Sequence, residues 1–242
     1  MRRLLTALCA LIAIPADAAR DGDALIFDLS VAGVPIGTAS LRATGMGDAY
    51  ALQGEADFGF LFWGGQGGAV AQGRVAGDRL TPERYRLDYQ GRREPGLVEI
   101  GFDGGRAVSF EREPPIPPEY AEGRIEVTEA HLANVLDPLS AMVRLAPSNV
   151  DPQTLCSGVL PVFSGYTRFD LHLDGALSGG SEVECAVVYR PVAGHRPDSP
   201  GVRRITRPGA IRLALAPIGE GVWAPSRVTV ATRVGEFAAV RR

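Results

Sequence analysis

The sequence predicts an all-β chain, an antiparallel meander interrupted once by a short helical segment. Three observations predict it. Apolar and polar residues alternate through most of the chain, the period of half-buried strands. Glycine-containing turns separate these runs at short intervals, which suits antiparallel pairing better than βαβ units. One stretch alone, Thr128 to Ala146, changes to helical spacing.

Taken in order, Leu25, Phe27, Leu29 and Val31 share one face of a first strand, with Asp28 and Ser30 opposite. Tyr85, Leu87 and Tyr89 alternate with Arg84, Arg86 and Asp88. Val98, Ile100 and Phe102 follow, then Val108 and Phe110 beyond a turn at Gly104-Gly105. In the second half, Phe169, Leu171 and Leu173 oppose Arg168, Asp170 and His172, and Val183, Cys185, Val187 and Tyr189 oppose Glu182 and Glu184. Two more apolar faces are Ile211, Leu213 and Leu215, and Val228, Val230, Thr232 and Val234.

In the helical stretch the apolar positions are Leu132, Val135, Leu136, Leu139, Met142, Val143 and Ala146. Pro138 lacks an N–H and clashes with the preceding turn, so the spacing predicts two short helices. Asp137 then caps the second and Pro138 occupies its first turn, where a missing donor costs nothing. Before it, Arg112 to Pro118 reads as an extended, polyproline-like connector. No repeat and no domain boundary is visible.

The N-terminus, MRRLLTALCALIAIPADA, has the parts of a secretory signal peptide over residues 1–18: Arg2 and Arg3, an apolar run from Leu4 to Ile14, and Ala16-Asp17-Ala18 before the cut. The run is too short to span a membrane, and Leu8 before Cys9 argues against lipidation. The mature chain, 19–242, is expected to be one soluble, exported domain with no transmembrane segment. Cleavage removes two arginines and one aspartate, moving the net charge from −3 to −4. There is no lysine, and the arginine pairs are scattered, so nothing has the density of a nucleic-acid or anionic-membrane patch. Cys156 and Cys185 alone remain after cleavage and are expected to pair, Cys185 on an inward face.

Few motifs carry chemistry. Asp137, Ser140 and His131 are the residue types of a hydrolase triad, but nothing like a nucleophile elbow surrounds Ser140, and Asp137 has a sufficient role as a cap. Arg168, Asp170 and His172 read as the polar face of a strand, and His195 as a loop histidine. The three histidines lie too far apart in sequence for a metal motif. Gly64-Gly65-Gln66-Gly67-Gly68 lacks the βαβ context of a phosphate loop. No catalytic residue, metal or cofactor is therefore assigned. The aromatics before those glycines, Phe58, Phe60, Phe62 and Trp63, form an apolar lip on a single strand in one reading, near an end of the sheet. In the other they are ordinary core of a strand buried on both faces.

Four phrases in a fixed order carry a resemblance: Leu80-Thr81-Pro82-Glu83-Arg84-Tyr85, Leu136-Asp137-Pro138-Leu139-Ser140-Ala141, Val162 to Leu171 (VFSGYTRFDL) and Cys185 to Gly194 (CAVVYRPVAG). Together they resemble the bacterial exported proteins of the domain of unknown function 3108 family, over roughly residues 24 to 240. The family brings no catalytic residues. The resemblance implies an open barrel or β-spiral like those of lipoprotein carriers of the cell envelope, a curved antiparallel sheet with residues 128–146 as a broken helix against its concave face. It also implies a periplasmic location. On that basis the expected function is a non-enzymatic envelope protein binding an apolar ligand, whether lipid, lipoprotein or peptide, or an envelope partner. The alternatives are a structural or interaction module with a filled core, and an envelope enzyme acting on glycan or peptide. An open apolar cavity, a solid interior, or polar side chains converging inside the barrel would separate the three.

Overall fold

The computed structural model describes residues 23–60, 63–91, 94–179 and 182–242. Its strands are β1 (Leu25–Val31), β2 (Val34–Thr44), β3 (Ala49–Phe60), β4 (Trp63–Ala76), β5 (Arg79–Gly91), β6 (Pro95–Asp103), β7 (Arg106–Glu113), β8 (Arg144–Leu145), β9 (Gly158–Phe163), β10 (Arg168–Gly179), β11 (Glu182–Ala193), β12 (Ile211–Gly219), β13 (Val222–Thr232) and β14 (Gly235–Arg241). All belong to one sheet in the order β7-β6-β5-β4-β3-β2-β1-β14-β13-β12-β11-β10-β9, with β8 paired to β13. Every strand pairing is antiparallel. The meander thus begins and ends in mid-sheet, where β1 and β14 lie side by side. Register shifts in β1–β2, β4–β5, β6–β7, β10–β11 and β12–β13 bend the sheet, as bulges do in barrels.

The two free edges, β7 and β9, approach each other and nearly close the barrel. Phe110 on β7 meets Phe163 on β9 edge to face, ring centroids 5.2 Å apart. A length of connector stitches the seam. Val135 N–H donates to the Gly105 carbonyl at 3.0 Å, Leu136 N–H to Pro161 at 2.8 Å, and Phe163 N–H to Leu136 at 2.9 Å. Leu136 is thereby a one-residue parallel partner of β9. Arg106 donates to the Glu129 carbonyl and Arg168 to that of His131, clamping the connector from both sides.

These contacts explain a difference from the helical reading of 128–146. The broken helix is present only as two 3-10 turns, Glu129–Leu132 and Ser140–Met142. Between them Asn134 takes a positive φ and the chain extends through Leu136. A continuous helix would have used its own N–H groups internally; here they bridge the seam instead. The apolar stripe still does its work, since Leu132, Val135, Leu139 and Val143 are buried in the core inside the barrel. Two smaller differences concern strands. The single strand read through Phe58–Trp63 is the meeting of two, β3 and β4, with Phe60 paired to Trp63. Val234 lies in the turn after β13 instead of continuing its face.

The interior has two parts. One is built from β1–β7 with the connector, around Phe27, Leu41, Leu52, Tyr85 and Ile100, and is joined by Phe163 of β9. The other lies on β10–β13, where Leu173, Val183, Val187, Leu215 and Trp223 surround the Cys156–Cys185 disulfide. The expected cysteine pairing is formed, with Cys185 fully buried. No described helix is long and apolar enough to cross a membrane.

Candidate functional site

The concave face of β2–β5 is lined by small residues. In an antiparallel ladder directly paired residues share a face, so the register fixes which ones look inward. Ala71, fully buried, sets the phase of β4, and Gly65, Gly67, Ala69 and Ala71 follow it at period two. Across the ladder, Gly54, Ala56 and Phe58 pair with Ala69, Gly67 and Gly65, and Leu87 and Tyr89 pair with Ala69 and Gly67 on the other side. These glycines are all strand residues. Gly67 shows why its type is needed: a Cβ there would stand 2.9 Å from the Asp88 carbonyl oxygen and 3.1 Å from Tyr89 Cβ.

Where larger side chains would fill a core, this stripe leaves a cavity of 480 Å³. Phe27, Leu41, Phe58, Tyr85, Leu87 and Tyr89 ring it, and Pro138, Leu139 and Met142 enter it from the connector. Its polar groups are few; among the described residues of the lining Glu55 alone is charged, and its place between Gly54 and Ala56 turns its side chain to the other face. A volume and surface of this kind fit a small amphiphile or an acyl chain. Nearer the other end of the barrel, on the far side of the connector, lies a second cavity of 480 Å³. Asp78, Arg79, Asn134, Ser140 and Arg144 make it polar in character. Residues 134–145 therefore divide an apolar chamber from a polar one.

What holds the divider is a buried polar chain. Asp137 Oδ1 accepts from the N–H groups of Leu139 and Ser140, each at 2.9 Å, so Asp137 caps the turn as its place before Pro138 predicts. Its Oδ2 accepts from Ser140 Oγ at 2.5 Å, and that hydroxyl lies 2.8 Å from Tyr50 Oη on β3. Asp137 and Ser140 are fully buried. Burial pushes the Asp137 carboxyl above the usual carboxylate range, against the pull of its hydrogen bonds. Burial likewise raises the Tyr50 phenol. His131 faces elsewhere, its Nδ1 accepting from Thr128 N–H at 3.1 Å. Asp137 and Ser140 are therefore joined to each other and to Tyr50 in one structural network, and His131 has a bond of its own.

The remaining residues singled out in the sequence lie on β10 and just after β11. Arg168 and Asp170 form an ion pair at 2.7 Å with Arg168 mostly buried, a more enclosed setting than a solvated strand face. His195 is buried, its Nε2 3.0 Å from the Tyr189 hydroxyl. Desolvation, then the nearby Arg124 charge, push its pKa down. Among the described residues no group of three or more His, Cys, Asp and Glu side chains could hold a metal ion.

Of the four aromatics read as a lip, Phe58 lines the apolar cavity. Phe60 and Trp63 close the β3–β4 ladder beside it. Phe62 lies outside the described residues, as do residues 1–18, read from the sequence as a signal peptide. The cavity's makers, Gly65, Gly67, Ala69, Gly54 and Ala56, were not identified as site residues from the sequence. The signal was there: a glycine or alanine at every second position from Gly65 to Gly73.

Fold and cavity together define a class, a nearly closed antiparallel barrel with a partly hollow apolar interior. The chain belongs to the family described as protein of unknown function (DUF3108), whose model matches residues 26–237. Neither a curated protein nor a solved structure matches it.

Proposed function

We propose that this protein is an exported, non-enzymatic component of the bacterial cell envelope that binds an apolar ligand, a lipid or acyl chain, in the chamber under β2–β5. A periplasmic location and removal of residues 1–18 belong to the same reading, on the signal-peptide pattern of the N-terminus. The observation that carries it is the glycine–alanine stripe and the 480 Å³ apolar cavity it leaves. Interiors are normally packed as densely as organic crystals, and unfilled space forgoes dispersion contacts. A filled structural module would place leucine and valine at these positions, as the β10–β13 half does. A cavity of this size lies in the range of small-ligand sites. Each buried methylene contributes about 0.8 kcal/mol.

The test is to purify the protein from its native envelope without detergent and examine it by native mass spectrometry and lipid extraction. A bound single-chain or acyl-bearing lipid near one per protein is expected. Ligand-free protein that also fails to take up a fluorescent fatty-acyl probe would overturn the reading.

A further inference from the structure

Beside the apolar chamber stands an arginine whose situation the fold does not explain. Arg112, on β7, pairs with Val98, which pairs with Leu87 of the cavity wall. All three therefore share the concave face, and Arg112 is an inward-directed cation on an edge strand. It is tied to the cavity through Tyr89. The Tyr89 ring lies over Gly96, where any Cβ would collide with it. From there its hydroxyl accepts from Arg112 Nη2 at 3.4 Å, a long and weak bond.

Arg112 makes no ion pair among the described residues. Its Nε is buried without a hydrogen-bond partner, and so is the hydroxyl of Tyr166. These two belong to one cluster, because the Arg112 guanidinium carbon is 5.7 Å from the centre of the Tyr166 ring. A second guanidinium, that of Arg124, lies 4.7 Å from the same ring and donates to the Gly194 carbonyl at 2.7 Å. Buried donors are nearly always paired, and guanidinium groups match carboxylate and phosphate oxygens in geometry as well as charge. Two orphan donors and two cations around one ring, joined through Tyr89 to an apolar space that Tyr89 lines, describe the two ends of an amphiphile.

We infer that the ligand is a single-chain anionic amphiphile, its chain in the chamber under β2–β5 and its carboxylate or phosphate head held by Arg112 and the Tyr166 hydroxyl. This deepens the apolar-ligand reading and rests on it. Arg112 reaches the chamber through Tyr89, so the head is expected on the seam side, beyond Tyr89.

The experiment is isothermal titration calorimetry of the mature protein with tetradecanoate, tetradecyl phosphate and tetradecanol, each below its aggregation concentration. Tetradecanoate or the phosphate, or both, should bind about tenfold or more tighter than the alcohol, the ratio expected for a charge-assisted bond. The ranking of the two anions tells a carboxylate head from a phosphate one. Arg112→Met should reduce the anions to the alcohol's affinity and leave the alcohol unchanged, and Tyr166→Phe should act in the same direction by a smaller factor. Should Arg112→Met fail to fold, the wild-type ratio and its decline with added salt decide the matter. Equal binding of all three by wild-type protein overturns the anionic head and leaves the apolar-ligand reading intact. Binding of none removes both.

Discussion

The two halves of this barrel share a fold and differ in what fills them. Under β2–β5, the inward positions include Gly65, Gly67, Ala69, Gly54 and Ala56, and a chamber is left. Under β10–β13 they include Leu173, Val183, Val187 and Leu215, which pack with Trp223 around a disulfide. Strand pairing is continuous through both, so the backbone ladder does not set the difference. Side-chain volume sets it. The β10–β13 arc is filled by large side chains around its disulfide, whereas the β2–β5 arc keeps space beside a buried core of its own. Capacity is thus confined to one arc of a sheet that is packed elsewhere.

The largest effect should come from the filled half. Replacing Cys156 and Cys185 together by serine should lower the unfolding free energy by about 2–5 kcal/mol in urea titrations, since the bridge closes a long loop in the unfolded chain. Uptake of an acyl probe by the folded fraction should be unchanged. Loss of uptake at full folding would show that the halves are not independent.

A matched pair of substitutions sharpens the contrast. Leu215→Ala, at a fully buried position, should cost about 2–5 kcal/mol through the cavity it creates. Ala69→Leu puts the opposite change into the chamber wall. Because space is already present, it should alter stability by no more than about 1 kcal/mol in either direction. It should also abolish probe uptake. Equal destabilisation by both would mean that the chamber is as tightly packed as the disulfide half, and the comparison would collapse.

The divider gives the smallest effects. Asp137→Ala leaves two backbone N–H groups and the Ser140 hydroxyl without their acceptor and should cost about 1–3 kcal/mol. Asp137→Asn keeps an acceptor for the turn and should stay near wild type at pH 7. The raised carboxyl gives the pair a definite pH dependence. A carboxyl whose folded pKa exceeds its unfolded one binds more protons when folded, so its contribution falls as pH rises from about 4 through the folded value. The asparagine variant should therefore gain on wild type between pH 4 and pH 7. A gap that stays constant across that range would mean that Asp137 is not held above its ordinary value.

Several of these features were legible in the residues. Alternation placed strands over Leu25–Val31, Val183–Tyr189 and Ile211–Leu215, and two cysteines in a chain read as exported implied their bond. Asp137 before Pro138 announced a cap. Each is a local or counting property, set by backbone sterics, pleat or composition, and so it survives without knowledge of the neighbours. The helical spacing of 128–146 was equally legible but misleading in kind. Whether those residues coil or extend depends on a competitor for their N–H groups, and only the approach of β7 to β9 supplies one. The same holds for the chamber. A period of glycine and alanine becomes a cavity only when Phe58, Tyr89 and Leu139 are brought around it from other elements, and only in a sheet curved enough to have an inside. Sequence by itself determined the strands, their faces and the disulfide, because those follow from nearest-neighbour geometry. Tertiary structure alone decided that one arc would be hollow, that the connector would stitch a seam, and that Arg112 would face inward without an ion-pair partner among the described residues, because each is a relation between segments far apart in the chain.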